Sequence, residues 1–241
     1  MTDVPSAARA GYAAELRALA GYFALPVLPD TQTRCLADFF TDAVLTGHVD
    51  RTRDAIAASA DCPPEEIPVR MAASSFQLGV AARLLSPVIG GALCCGAVPI
   101  LDRESLRWTP TQGHAPQFAV ADPSWQAVDP ATSARVILAS VVPVLTELGA
   151  RLNSLVALSP RITLGNLTSA ANGAVTVLAL SRPQLEASGR TLVRALLASG
   201  PLHGTGSFVE GLFRRQSCCL YYQAPRSGLC GDCVLRPDAS S

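Results

Sequence analysis

Residues 98–137 read VPILDRESLRWTPTQGHAPQFAVADPSWQAVDPATSARVI. The first part holds three short runs, Val98–Leu101, Ser105–Thr109 and Gln117–Val120, separated by turn residues. Such runs predict the strands of a small antiparallel sheet near 98–121. The period then changes. Asp129-Pro130 supplies an N-cap followed by a first-turn proline, and Ile137, Val141, Leu145, Leu148 and Leu152 recur at helical spacing. One stretch therefore asks for strands and then for a long helix, and the chain reads as α+β.

Outward from this point the text is mostly helical. Upstream, Ala8, Tyr12, Leu16, Leu19 and Phe23 share one helical face. Cys35, Leu36, Phe39, Phe40, Ala43 and Val44 share another, after a Pro29-Asp30-Thr31 start signal. A short helix is expected over Thr52–Ala60, and a longer one after Cys62-Pro63-Pro64 toward Leu85, with a break or kink near Pro87. Downstream, Leu164, Leu167, Ala171, Val175 and Leu178 mark one helix. Leu185, Leu192, Val193, Leu196 and Leu197 mark a last one, from Pro183 to Gly200-Pro201. Past Gly204-Thr205-Gly206 the text becomes irregular. The expected organisation is a predominantly helical body with a small antiparallel sheet over residues 1–207. An irregular, cysteine-rich, cluster-binding segment follows over 208–241.

Composition narrows the function. Hydrophobic residues make up 49% and charged residues 16%, with zero formal net charge. This is a globular chain with much to bury, and no basic run offers nucleic acid a surface. All nineteen basic residues are arginine, so lysine Schiff-base chemistry and a Walker-type phosphate loop are excluded. Asp3 and Glu15 interrupt the N-terminal stretch, which does not read as a signal peptide. Leu84–Leu101 and Ile162–Ser181 carry no charge, yet prolines and glycines break the first and asparagines the second. Both read as buried helices of a cytoplasmic protein with no integral membrane segment.

Eight cysteines in a reducing compartment point to metal ligands or small core residues. Four of them, Cys218, Cys219, Cys230 and Cys233, form C-C-x10-C-x2-C. Four thiols in so short a span commonly hold a soft or borderline metal. In the C-x2-C half two sulfurs can reach one metal ion, with Gly231 easing the turn. The vicinal half is harder, because successive side chains point apart in regular structure. A structural zinc site is typically built from two separated C-x2–4-C hooks, whereas a [2Fe-2S] cluster takes two cysteines on each iron. Spacing alone ranks the cluster ahead of zinc and leaves both open.

At these residues the sequence resembles the ferric-siderophore reductase family of the FhuF type, whose hallmark is this cysteine spacing. Phe213–Tyr222 and Gly228–Cys233 are both similar to that family, as are Arg83–Pro87, Gly165-Asn166 and Pro201–Gly206. The likeness spans roughly 65–235, with only the cysteine motif specific. It implies a [2Fe-2S] cluster on Cys218, Cys219, Cys230 and Cys233, through which catalysis runs. It also implies a cytoplasmic protein that delivers one electron to an Fe(III)-siderophore. With no nicotinamide or flavin fingerprint in the chain, an external ferredoxin or flavin reductase is the expected electron donor. A ferredoxin-like carrier, a redox-responsive regulator and a zinc-binding interaction module are the alternatives.

Arg214 and Arg215 precede the cysteines and are candidate contacts for an anionic ferric complex, or else a solvated or tail-anchoring pair. Cys35, Cys62 and the vicinal Cys94-Cys95 are expected in the core. His48, His114 and His203 lack ligand partners at useful spacing. Asn166 is expected to cap or bridge helices, and Trp108 to sit in the core or on a sheet face.

Overall fold

A computed structural model of the chain describes residues 3–19 and 21–236. Residues 237–241, the end of the expected C-terminal segment, lie outside them. In chain order the elements are α1 (Ser6–Ala18), β1 (Arg34–Cys35), α2 (Leu36–Phe39), α3 (Asp42–Ala60) and α4 (Val69–Gly90). Next come β2 (Ala97–Pro99), β3 (Leu106–Thr109), β4 (Gln117–Val120) and β5 (Trp125–Ala127). The chain continues with α5 (Pro130–Ala139), α6 (Val141–Val156), α7 (Pro160–Ser181), α8 (Glu186–Leu197), β6 (Gly206–Val209) and β7 (Leu212–Arg215). Helix takes 60% of the chain and strand 11%, so the α+β, predominantly helical fold is as the sequence predicts.

The centre of the body is α4. Its buried residues, from Met71 through Phe76, Val80 and Leu84 to Ile89, face all directions. A helix apolar all round must be enclosed, and α3, α6 and α7 pack against it. Pro87 is accommodated inside α4. The helix ends in a wider π turn over Gly91–Cys95, closed by Gly96 at φ 61°. This turn, not Pro87, delivers the chain to β2.

Three expectations need correction. The residues near 98–121 do not form one sheet. β3 and β4 pair antiparallel, with β1 on the other side of β3, while β2 pairs with β5. The sequence between Val120 and Pro130 therefore holds a strand, Trp125–Ala127, that periodicity missed. Second, the helix through Cys35–Val44 and the short one at Thr52–Ala60 are replaced by the brief α2 and the long α3. Gly47 lies inside α3. Third, the stripe from Ile137 to Leu152 crosses two helices. Ser140, at φ −99° and ψ −80°, divides them. Pro143 explains the break, because it has no N–H for the Ala139 carbonyl and its ring crowds that oxygen. The Asp129 cap holds as expected, with its carboxylate accepting from Thr132 N at 2.8 Å.

By length and composition alone, Val69–Cys95 and Pro130–Val156 could cross a membrane. Of their apolar windows, 56% and 61% are buried within the fold. Their apolar surface is thus largely engaged by the core, which is consistent with a soluble protein.

His48 lies inside the core at 1% exposure, stacked on Phe76 with ring centres 5.4 Å apart, and its Nδ1–H donates to the His114 carbonyl at 3.2 Å. Burial holds its pKa below the ordinary 6.5. The unfolded chain then binds a proton that the folded chain refuses. Stability from this group is complete above pH 6.5 and declines as pH falls below it, at a limiting slope of about 1.4 kcal/mol per pH unit. Urea midpoints measured from pH 5 to 8 check this. The decline should be shallower in His48→Gln, and an identical slope in the variant would place the acid sensitivity elsewhere.

Candidate metal centre

The cysteine segment is not irregular from its start. β6 and β7 form a hairpin with Phe208 opposite Phe213, their rings edge-to-face at 5.7 Å. The two-residue turn, Glu210-Gly211, has φ of 50° and 82°, the doubly positive geometry that suits a tight hairpin. Gly206 is required opposite, since a Cβ there would meet the Phe213 ring at 2.6 Å. Strand β6 straddles residue 207, so body and tail share this hairpin.

The hairpin delivers Arg215 into the body at 1% exposure. Its Nη2 donates to Asn166 Oδ1 at 2.5 Å and to the Ile162 carbonyl at 3.4 Å. Asn166, fully buried on α7, donates in turn to Ser74 O, Ser74 Oγ and Gln77 Oε1 of α4 at 3.0, 3.1 and 2.7 Å. Arg215 therefore ties the tail to the two central helices. Gly165 makes room for this segment, because a Cβ there would lie 2.3 Å from Ser217 Oγ and 3.2 Å from Arg215 Nη2. The burial corrects one expectation: Arg215 cannot serve as an exposed contact for substrate. Arg214, its neighbour on the opposite face of β7, is only partly buried.

From Arg215 the chain leads directly to the thiols. The backbone N–H of Arg215 donates to the Asp232 carbonyl at 3.0 Å, which draws the C-x2-C loop alongside β7. Ser169 of α7 donates to the Asp232 carboxylate and fixes the same loop to the body. The vicinal pair is resolved by Leu220, whose left-handed backbone (φ 69°) turns the chain directly after Cys219. Cys219 Sγ and Cys230 Sγ then lie 3.5 Å apart. The sulfurs in contact thus join the two halves of the motif. Gly231, expected to permit the turn, has no positive φ and open space where a Cβ would stand, so its glycine character is not needed.

The electrostatics favour the thiolate at Cys219 and oppose it at Cys218 and Cys230. Cys218 Sγ accepts from Leu220 N at 3.3 Å, and Cys233 Sγ from Leu235 N at 3.4 Å. Each cysteine receives the amide two residues ahead. The Cys219 pKa is drawn down to about 6, chiefly because the Cys230 thiol donates to it, with Tyr221 N–H and the Arg215 charge assisting. Cys230, holding the shared proton, is pushed up by the same bond. Burial raises Cys218, against the Leu220 amide and Arg215.

One observation fits these residues to a [2Fe-2S] cluster. Arg215 Nε and Nη1 and Ser217 Oγ are buried without a hydrogen-bond partner. Such donors are costly to leave unmade, and the sulfurs of a cluster held by Cys218, Cys219, Cys230 and Cys233 would supply the acceptors and the negative charge they lack. Such a cluster asks each iron to take only two protein thiolates.

The other cysteines belong to other parts of the fold, although Cys62 lies close enough to the Cys219–Cys230 loop to feel the Arg226 charge. Cys94 and Cys95 lie in the π turn, where burial lifts both thiols, Cys95 to about 11. Cys62 packs against the core. Cys35 is exposed on β1, contrary to expectation. Trp108 is core, at 2% exposure. The sequence reading left Ser74, Gln77, Ser169 and Asp232 unassigned. The usable signal was polar residues inside apolar helices, where a buried network is the usual reason.

Residues 215–235 match the family model of the FhuF 2Fe-2S C-terminal domain, and the cysteines at 218, 219, 230 and 233 are consistent with its motif. The cofactor is a [2Fe-2S] cluster. No curated protein matches the chain.

Proposed function

We propose that this chain is a cytoplasmic oxidoreductase that gives one electron to an Fe(III)-siderophore and so releases Fe(II). The observation that carries the reading is the matched four-cysteine segment, anchored through Arg215 to a large helical body. A bound [2Fe-2S] cluster supplies a single-electron carrier. The chain's own part is to hold four thiolates, to set buried positive charge beside them and to present a surface to the ferric complex. Hard anionic oxygens bind Fe(III) far better than Fe(II), so one electron loosens the metal and leaves the chelator intact. The electron comes from an external ferredoxin or flavin reductase.

Protein purified without oxygen should contain two irons and two acid-labile sulfides per chain, and stoichiometric zinc without iron would reject the cluster. After anaerobic reduction, mixing with a panel of ferric siderophores should restore the oxidised spectrum while a ferrous chelator traps Fe(II). If no ferric siderophore does so and a partner protein does, the chain is an electron carrier.

A further inference from the structure

A cavity of about 440 Å³ lies between α5 and the β2–β5 pair, and no residue of the cysteine segment lines it. Its volume is that of a small-molecule site. Local structure decides the lining. On α5, Arg135 and Ala139 stand one turn apart, as do Val136 and the capping Ser140, so the four share one face. Along β5 the side chains alternate. Trp125 turns toward Tyr12 of α1, with ring centres 5.5 Å apart, and Gln126 therefore points the other way, into the cavity. Ile100 and Asp102, just past the end of β2, complete it.

Two donors in this cavity lack an acceptor. Gln126 is 9% exposed, yet its Nε2 is buried without a hydrogen-bond partner, and a buried N–H left unmade is costly. Arg135 is exposed, and its guanidinium pairs with no other group among the described residues. Together they ask for a carboxylate. Acceptors are present as well. Asp102 Oδ1 accepts from Glu104 N, Ser105 N and Ser105 Oγ at 3.1, 2.8 and 2.8 Å. These bonds fix the carboxylate and leave Oδ2 open among the described residues. The Ala139 carbonyl has lost its helical donor to Pro143. Ile100 and Val136 make the rest of the wall apolar.

We infer that this cavity is a binding site for a free apolar α-amino acid. Gln126 Nε2 and Arg135 take the carboxylate, Asp102 and the Ala139 carbonyl take the ammonium, and Ile100 and Val136 cover the side chain. A zwitterion answers both charges at once, whereas a plain carboxylate or a plain amine would meet one like charge with nothing to offset it. The site is separate from the cysteine centre, and the inference holds whatever that centre reduces.

The test is isothermal titration of the cluster-loaded chain with L-leucine and L-phenylalanine. Beside each runs the matching acid without the ammonium and the matching amine without the carboxylate. At least one amino acid should bind at a single site per chain. Its two cut-down analogues should bind weaker by about tenfold or more, the range of a charge-assisted hydrogen bond. Gln126→Met, which keeps the length of the side chain, and Arg135→Gln, at an exposed position, should each weaken the amino acid by a similar factor. Gln126→Met should also raise the urea midpoint of the ligand-free protein, because it removes an unpaired buried amide. No binding of either amino acid, equal binding of an analogue, or full affinity in both variants overturns the inference. So does a lowered midpoint in Gln126→Met, which would show the amide to be satisfied within the fold already.

Discussion

Alanine at any one of Cys218, Cys219, Cys230 or Cys233 should remove the visible absorption of the purified chain, whereas alanine at Cys35, Cys62, Cys94 or Cys95 should leave it unchanged. The reason is coordination arithmetic. A [2Fe-2S] cluster takes two protein thiolates on each iron, and the matched segment 215–235 contains these four cysteines and no fifth. The effect should be steepest at Cys219 and Cys230, whose sulfurs are already 3.5 Å apart. Binding energy at such a site is also folding energy for the segment that forms it. The variants should therefore also show faster proteolysis within 220–229. Retention of a normal spectrum by Cys218→Ala, with loss in Cys95→Ala, would refute this ligand set.

Arg215→Met should be the most damaging substitution outside the ligands, and it should act unequally on the two forms of the protein. In the loaded chain Arg215 is the buried counter-charge of an anionic centre. Removing one partner of a buried pair costs on the order of 3–5 kcal/mol. In the chain without its cluster the guanidinium has two unpartnered nitrogens, and Met removes that burden while losing the bonds of Nη2 to Asn166 and to the Ile162 carbonyl. Urea unfolding should then show a large loss for the loaded protein and a small change for the other. The cluster's reduction potential should fall as well, because reduction adds negative charge that Arg215 stabilises. About 59 mV corresponds to each 1.4 kcal/mol in a one-electron couple. Equal losses in both forms with an unchanged potential would make Arg215 a structural tether only.

Much of the fold was legible where one side-chain face repeats. The stripes of α1, α7 and α8 and the cap of α5 follow from spacing and local chemistry. The failures have physical causes. α4 is apolar on every side, so its pattern marks its presence but not its neighbours. β1 and β2 contain two and three residues, too few for alternation to register. Strand partners depend on chain reversals that short runs do not encode, and for this reason the three runs read as one sheet although β2 pairs with β5. At the site, the cysteine spacing identified the four thiols, and Asn166 was expected to bridge helices. The depth of Arg215 was not readable. A double arginine before a polar segment looks solvated until the glycine at 165 and the amide at 166 are seen to make room for one of the two.

The loop spanning 220–229 can also be considered as a problem of chain entropy. Tied at Cys219 and Cys230 by a common centre, it becomes a closed ring of about ten residues, and closure removes most of the shapes an open loop explores. The surface that Tyr221 and Ala224–Ser227 present toward α3 and α4 is then fixed by the metal centre itself. A chain without its cluster leaves that stretch free to sample many shapes. The cluster thus acts as a clasp on the fold, and its loss should loosen the protein well beyond the four sulfurs.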